Sequence, residues 1–111
     1  MIEIEYLKEP KIMISEKRLT ILLARDEAED KYCALCPELD MVTEMDTADE
    51  ALEDMVDAIK EYAEEYMAEL ELYSKSLNRA HHLPYIKDIA SCKTDWELWT
   101  LLEIRHGIVY I

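Results

Sequence analysis

Thr47-Ala48-Asp49-Glu50-Ala51-Leu52-Glu53-Asp54-Met55-Val56-Asp57-Ala58-Ile59-Lys60-Glu61-Tyr62-Ala63-Glu64-Glu65-Tyr66-Met67 is the segment on which the fold turns. Ala51, Leu52, Met55, Val56, Ile59, Tyr62, Ala63, Tyr66, Met67 and Leu70 recur at spacings of three and four, which places them on one stripe of a helix. The opposite face carries Asp49, Glu53, Asp54, Asp57, Glu61, Glu64, Glu65 and Glu71. Thr47 and Glu50 form a capping box: the Thr hydroxyl takes an orphan N–H, and the Glu reaches back to the cap N–H. A helix running from there to about Ser74 would be roughly 40 Å long. That exceeds the width of a domain this small, so its far half needs a cover from elsewhere in the chain.

Upstream, the periodicity changes to that of strands. Residues 18–25 (RLTILLAR) are apolar on both faces, as expected of an interior strand. Asp26-Glu27-Ala28-Glu29-Asp30 reads as a turn, which brings residues 31–36 (KYCALC) back as a hairpin partner. Pro37 has no N–H for a ladder and ends that strand. Met41–Met45 reads as a third strand. Nearer the N-terminus, Ile2, Ile4 and Tyr6 alternate with Glu3 and Glu5 as a half-buried strand would, followed by a short piece at Ile12 and Ile14 and a turn at residues 15–17.

Downstream, Pro84 at a first helical position opens a short helix through Ile89. Thr94-Asp95-Trp96-Glu97 is a second capping box, leading a helix through Leu98, Trp99, Leu101, Leu102 and Ile104 with Gly107 as its C-cap. Trp96 and Trp99 would bury much of the tail's apolar area, and Ile108–Ile111 would add a short strand or dock on the core. The expected fold is a single α+β domain over residues 1–111. It comprises an N-terminal strand extension (1–18), a β-β-β-α unit (19–74) with a three- to four-stranded antiparallel sheet on one long amphipathic helix, and a helical C-terminal cover (75–111).

Charge narrows the function. The chain carries a net −14, with 50% hydrophobic residues, so it folds despite its charge. Residues 44–71 hold twelve Asp and Glu against Lys60, a local −11. Such a field repels phosphate backbones, which argues against direct nucleic-acid binding by an isolated copy and suits either solubility or attraction to a basic protein partner. The alternating N-terminus is unlike a signal peptide and no apolar run is long enough for a membrane span, so a cytoplasmic protein without membrane contact is expected.

The search for chemistry returns little. Cys33 and Cys36 form a lone CxxC with only Cys92 besides, short of the two pairs that a zinc ribbon needs. On a strand, residues three apart point to opposite faces, which weakens zinc further. No His follows an acid of the main helix by three, as a di-iron bundle requires. His81-His82 adjoins Pro84 in a linker, where a pair hydrogen-bonded to backbone is favoured over a metal site completed by Cys92. A single glycine excludes a P-loop and a nucleophile elbow. No catalytic, cofactor or metal residue is therefore assigned, and the chain reads as non-catalytic.

The order of these pieces resembles the HicB-like antitoxin domain over about 45 of the 111 residues, Leu19 to Tyr62. The resemblance is carried by Tyr32-Cys33-Ala34-Leu35-Cys36-Pro37-Glu38-Leu39, by Asp46-Thr47-Ala48-Asp49-Glu50-Ala51-Leu52, and by Asp57-Ala58-Ile59-Lys60-Glu61-Tyr62. Glycines common in that family's hairpin turn and before its helix are replaced here by Glu29-Asp30 and Met45. The first 18 residues have no counterpart, and the tail after Ser74 matches neither DNA-binding type found in the family. The resemblance implies an oligomeric antitoxin that masks a small basic ribonuclease toxin. Pro37 and Glu38 at the strand edge, with Asp54, Asp57 and Glu61 on the acidic helix face, are the expected contact residues. The alternative is an orphan homo-oligomeric domain with no toxin, and a third reading is a small-ligand or metal-dependent enzyme.

Overall fold

The computed structural model describes residues 18–109. The strands expected at Ile2–Tyr6 and Ile12–Ile14, the turn at 15–17 and the final residues Tyr110 and Ile111 lie outside them. Strand β1 (Leu19–Asp26) turns through residues 27–30 into β2 (Lys31–Cys36), and the two pair antiparallel from Leu22↔Leu35 to Asp26↔Lys31. The buried Asp26 carboxylate holds that turn, accepting from the Ala28 and Glu29 N–H groups at 3.0 and 3.2 Å. Asp30 takes the left-handed conformation (φ 54°) that Asp tolerates better than most residues.

Pro37 ends β2 as expected, and Pro37–Leu39 makes a single 3-10 turn. The turn closes on Asp40, also left-handed at φ 56°, whose N–H donates to the Pro37 carbonyl at 3.3 Å. Strand β3 (Met41–Met45) then pairs antiparallel with β2, from Cys36↔Met41 to Tyr32↔Met45.

Helix α1 spans Ala48–Ala68 and crosses one face of the sheet. Its apolar stripe supplies Ala51, Met55, Val56, Ile59, Ala63 and Tyr66 to a core completed by Leu19, Ile21, Leu23, Ala34 and Cys36 from the strands. The Thr47 hydroxyl accepts from the Glu50 N–H at 3.1 Å, and Thr47→Ala should cost about 1 kcal/mol in chemical denaturation. Only half of the capping box forms. The Glu50 carboxylate accepts from the Thr47 hydroxyl at 3.0 Å in place of the cap N–H. The helix also ends earlier than its stripe implies, because Glu69 leaves helical geometry (φ −120°, ψ 42°) before a short α2 (Leu70–Tyr73). Twenty-one residues make α1 about 31 Å long.

The tail covers the far half of α1 as expected. Helix α3 (Leu83–Ala90), opened by Pro84, packs on α1 with Ile86 and Ile89 buried. Helix α4 (Asp95–Thr100) starts at the second cap, where the Thr94 hydroxyl accepts from the Glu97 N–H at 3.2 Å. Two ion pairs tie the tail down: Lys60 to Asp95 at 2.9 Å, and Arg18 to Asp88 at 2.7 Å.

Beyond Thr100 the structure overturns the sequence reading. Leu102–Val109 is strand β4, lying parallel to β1 over the register Leu19↔Leu102 to Asp26↔Val109. Among the described residues the sheet is thus four-stranded and mixed, in the order β3-β2-β1-β4. The helix stops because the Leu101 carbonyl accepts from the Arg18 and Leu19 N–H groups at 2.9 and 3.0 Å, which recruits the next residues to the sheet. Gly107 is a strand residue opposite Ala24 and not a helix cap. A Cβ there would approach Leu22 Cδ1 at 3.1 Å, so its smallness serves strand packing. The expected contribution of the tryptophans is also halved: Trp99 packs on the core, whereas Trp96 is 77% exposed.

Candidate functional site

Two surfaces concentrate the chain's polar chemistry. The first is the outer face of α1, where Glu53, Asp54, Asp57, Glu61, Glu64 and Glu65 are all exposed. Asp54, Asp57 and Glu61 make no ion pair with another described residue, and Lys60, the one base of the stretch, is engaged by Asp95. Neighbouring like charges at i, i+4, such as Asp57 and Glu61, repel by a few tenths of a kcal/mol each. The face is therefore a strongly negative, unneutralised ridge.

The second is the 3-10 turn after β2. Pro37 is exposed there, but Glu38 is half-buried and occupied. Its carboxylate accepts from the Thr20 N–H and the Thr20 hydroxyl, both at 2.9 Å, in place of the ladder partner that β2 no longer supplies once it has turned. Asp40, one residue beyond the turn, meets the linker that precedes α3. His82 Nε2 lies 2.9 Å from Asp40 Oδ2 and His81 Nε2 lies 3.3 Å from the same oxygen. His82 is buried, and its Nδ1 stands 2.7 Å from the Tyr62 hydroxyl on α1. The histidine pair thus bonds to side chains and not to backbone, and its acidic partner is Asp40. Cys92 lines a different cleft, beside Lys60 and Ile89. The hydrogen bonds from His82 and then His81 hold the Asp40 carboxyl below the usual carboxylate range.

An aromatic cluster backs this junction. Tyr62 meets Tyr66 and His82 edge to face, with centroids 5.8 and 5.6 Å apart, and Tyr66 meets Tyr73 at 5.4 Å. The Arg79 guanidinium lies 4.6 Å from the Tyr73 ring centroid, while its carbonyl accepts from the Tyr66 hydroxyl at 2.8 Å. The bridge through His82 sets the turn beside the Tyr62 level of α1, close in sequence to Glu61. Sequence reasoning missed Asp40 and Tyr62 as partners of His82, because nothing in local spacing links residues 42 and 20 positions apart.

The three cysteines are free thiols. Cys33 and Cys36 lie on β2, Cys36 buried among core residues and Cys33 partly exposed. Burial pushes the Cys36 thiol up to about 11, so it stays protonated at neutral pH and is a poor nucleophile.

The described residues thus form a small mixed sheet with helices on one face and a negative ridge along the main helix. A family model for antitoxins of RelE/RelB-type toxin–antitoxin systems matches residues 1–104, and the chain belongs to that family. A solved structure from Syntrophomonas wolfei subsp. wolfei, the antitoxin part of a candidate toxin/antitoxin system, has the same fold with a TM-score of 0.68 at 19% identity. The match covers 81% of this chain and 64% of that one, so the chain spans under two thirds of that protein's length. No curated protein matches the chain. Among the described residues, no helix is long and apolar enough to cross a membrane.

Proposed function

We propose that this antitoxin neutralises a small basic ribonuclease toxin by direct contact, in the HicB-like manner, without catalysis of its own and without binding nucleic acid. The observation that carries this reading is the exposed acidic ridge of α1, which keeps its charge although its only base is spent on Asp95. The order of hairpin, Pro-Glu-Leu turn, third strand and Thr-capped helix supports the HicB-like arrangement. In this reading Asp54, Asp57 and Glu61 meet basic groups around the toxin's active site. Pro37 lies at the neighbouring sheet end, and Glu38 holds its turn in place through Thr20.

Complementary charge acts chiefly on the association rate, and salt screens it over roughly 8 Å at physiological ionic strength. Binding of a basic toxin should therefore slow steeply from low to high salt. Reversing Asp54, Asp57 and Glu61 to Lys should slow association on the order of tenfold or more while leaving the melting temperature close to the parent's. Kinetics on immobilised toxin read both effects. A triple variant that binds as fast as the parent would reduce the ridge to a solubility device and move the contact to the strand edge near Cys36-Pro37-Glu38.

A second reading, a homo-oligomer without a toxin, draws on β3. Among the described residues it is the outer strand of the sheet, and Val42 on it is 64% exposed. Unpaired edges of this kind invite pairing with a second copy. Light scattering that returns a monomer at all concentrations would remove that reading.

A further inference from the structure

We infer that Asp40, His81 and His82 form a binding site for a divalent first-row metal ion of the zinc type, which staples the β2–β3 connection to the linker before α3. The inference is independent of any toxin and rests on convergence. One carboxylate oxygen and two imidazole nitrogens lie within 4.8 Å of one another. The two measured separations, His82 Nε2 to Asp40 Oδ2 at 2.9 Å and His81 Nε2 to the same oxygen at 3.3 Å, already approach a coordination shell. Ligands bound tetrahedrally at about 2.0–2.1 Å stand about 3.3 Å apart, so an ion fits with small side-chain adjustments.

Adjacent residues rarely aim two imidazoles at one point. Here the 3-10 turn Ala80–His82 does so, with the ring centroids 4.2 Å apart. The surroundings supply what a metal-bound histidine requires. A ligating imidazole places its proton on the other ring nitrogen, which needs an acceptor. His82 Nδ1 has the Tyr62 hydroxyl oxygen at 2.7 Å as that acceptor. A metal on His82 Nε2 would leave the ring proton on Nδ1, which would donate to the Tyr62 oxygen. Asp40 is held by its left-handed backbone and its bond to the Pro37 carbonyl. His81 and Asp40 are exposed and His82 is buried, which leaves one side of the site open to the cleft lined by Leu77, Asn78 and Arg79. Water fills the fourth position from that side. Two nitrogens and one carboxylate oxygen favour zinc, nickel or cobalt over calcium or magnesium, which take oxygen shells.

The competing account is a plain hydrogen-bonded pin, in which the same three side chains close the junction with no ion. Zinc titration of the full, untagged chain by calorimetry separates the two, with cobalt absorption as a second readout. We expect one equivalent bound, a tetrahedral cobalt spectrum without a thiolate charge-transfer band, and a melting temperature that rises with zinc. His81→Ala removes a ligand from an exposed side chain, and Asp40→Asn keeps a residue that tolerates the left-handed backbone, so both variants should fold. Each should weaken zinc binding by about tenfold or more and remove the zinc-dependent rise in melting temperature. Absence of stoichiometric binding, equal binding by the parent and both variants, or a thiolate band marking Cys33 as a ligand would each overturn the assignment.

Discussion

Tyr66→Asp should leave the chain largely unfolded at room temperature. Tyr66 is fully buried although it sits in the last two turns of α1, where a helix on a three-stranded sheet would run out of cover. Its ring is enclosed by Tyr62 and Tyr73, and its hydroxyl donates to the Arg79 carbonyl at 2.8 Å. Removing a ring of this size from a core costs about 3–5 kcal/mol. An Asp there adds a charge that must either protonate or drag water into the core. Against a total stability of about 5–15 kcal/mol for a domain, the sum is decisive. Tyr66→Phe isolates the polar part: the Arg79 carbonyl loses its donor, at about 1–3 kcal/mol, while the packing remains. Urea denaturation followed by circular dichroism reads both variants. A Tyr66→Asp protein that melts within a few degrees of the parent would mean that the far end of α1 is open to water.

Much of the fold was legible because local pattern and tertiary outcome agree. The hairpin is bounded by its acidic turn and by Pro37, and α1 is bounded by Thr47 and written by its apolar stripe. Both depend on periodicities that a single segment displays. β4 was not legible, for an identifiable reason. Leu98, Leu101 and Leu102 continue a helical spacing from a true N-cap, and this masks the alternation of Leu102 and Ile104 with Glu103 and Arg105. What ends the helix is not in the tail at all, but in the Arg18 and Leu19 N–H groups that take the Leu101 carbonyl. The candidate site divides the same way. The acidic ridge lies on one helix and its composition was plain, whereas the Asp40–His82–Tyr62 bridge spans 42 residues on one side and 20 on the other. Such a bridge exists only once the 3-10 turn and the tail are in place.

That dependence makes the tail the subject of the second large effect. A chain ended at Ser76 should fail to give a soluble monomer. It loses α3, and with it Ile86 and Ile89, which are buried against α1. It loses Arg79, whose carbonyl satisfies Tyr66, and His82, which bridges Asp40 to Tyr62. It also loses β4, which pairs with β1 along its entire length and makes β1 an interior strand. Without β4, β1 becomes a long apolar edge (LTILLARD) with unpaired backbone groups, the type of surface that templates association. Exposure of Tyr66 on α1 and Leu70 on α2 adds an apolar patch beside that edge. Size-exclusion chromatography with light scattering should show aggregates, and amide exchange should show loss of protection in β1 as well as in α1. If residues 76–111 were instead a DNA-binding arm, their removal would leave a folded monomer that had lost affinity for DNA, and both α1 and β1 would stay protected. A soluble, monomeric truncation with β1 protected would therefore detach the tail from the core and return the far half of α1 to solvent.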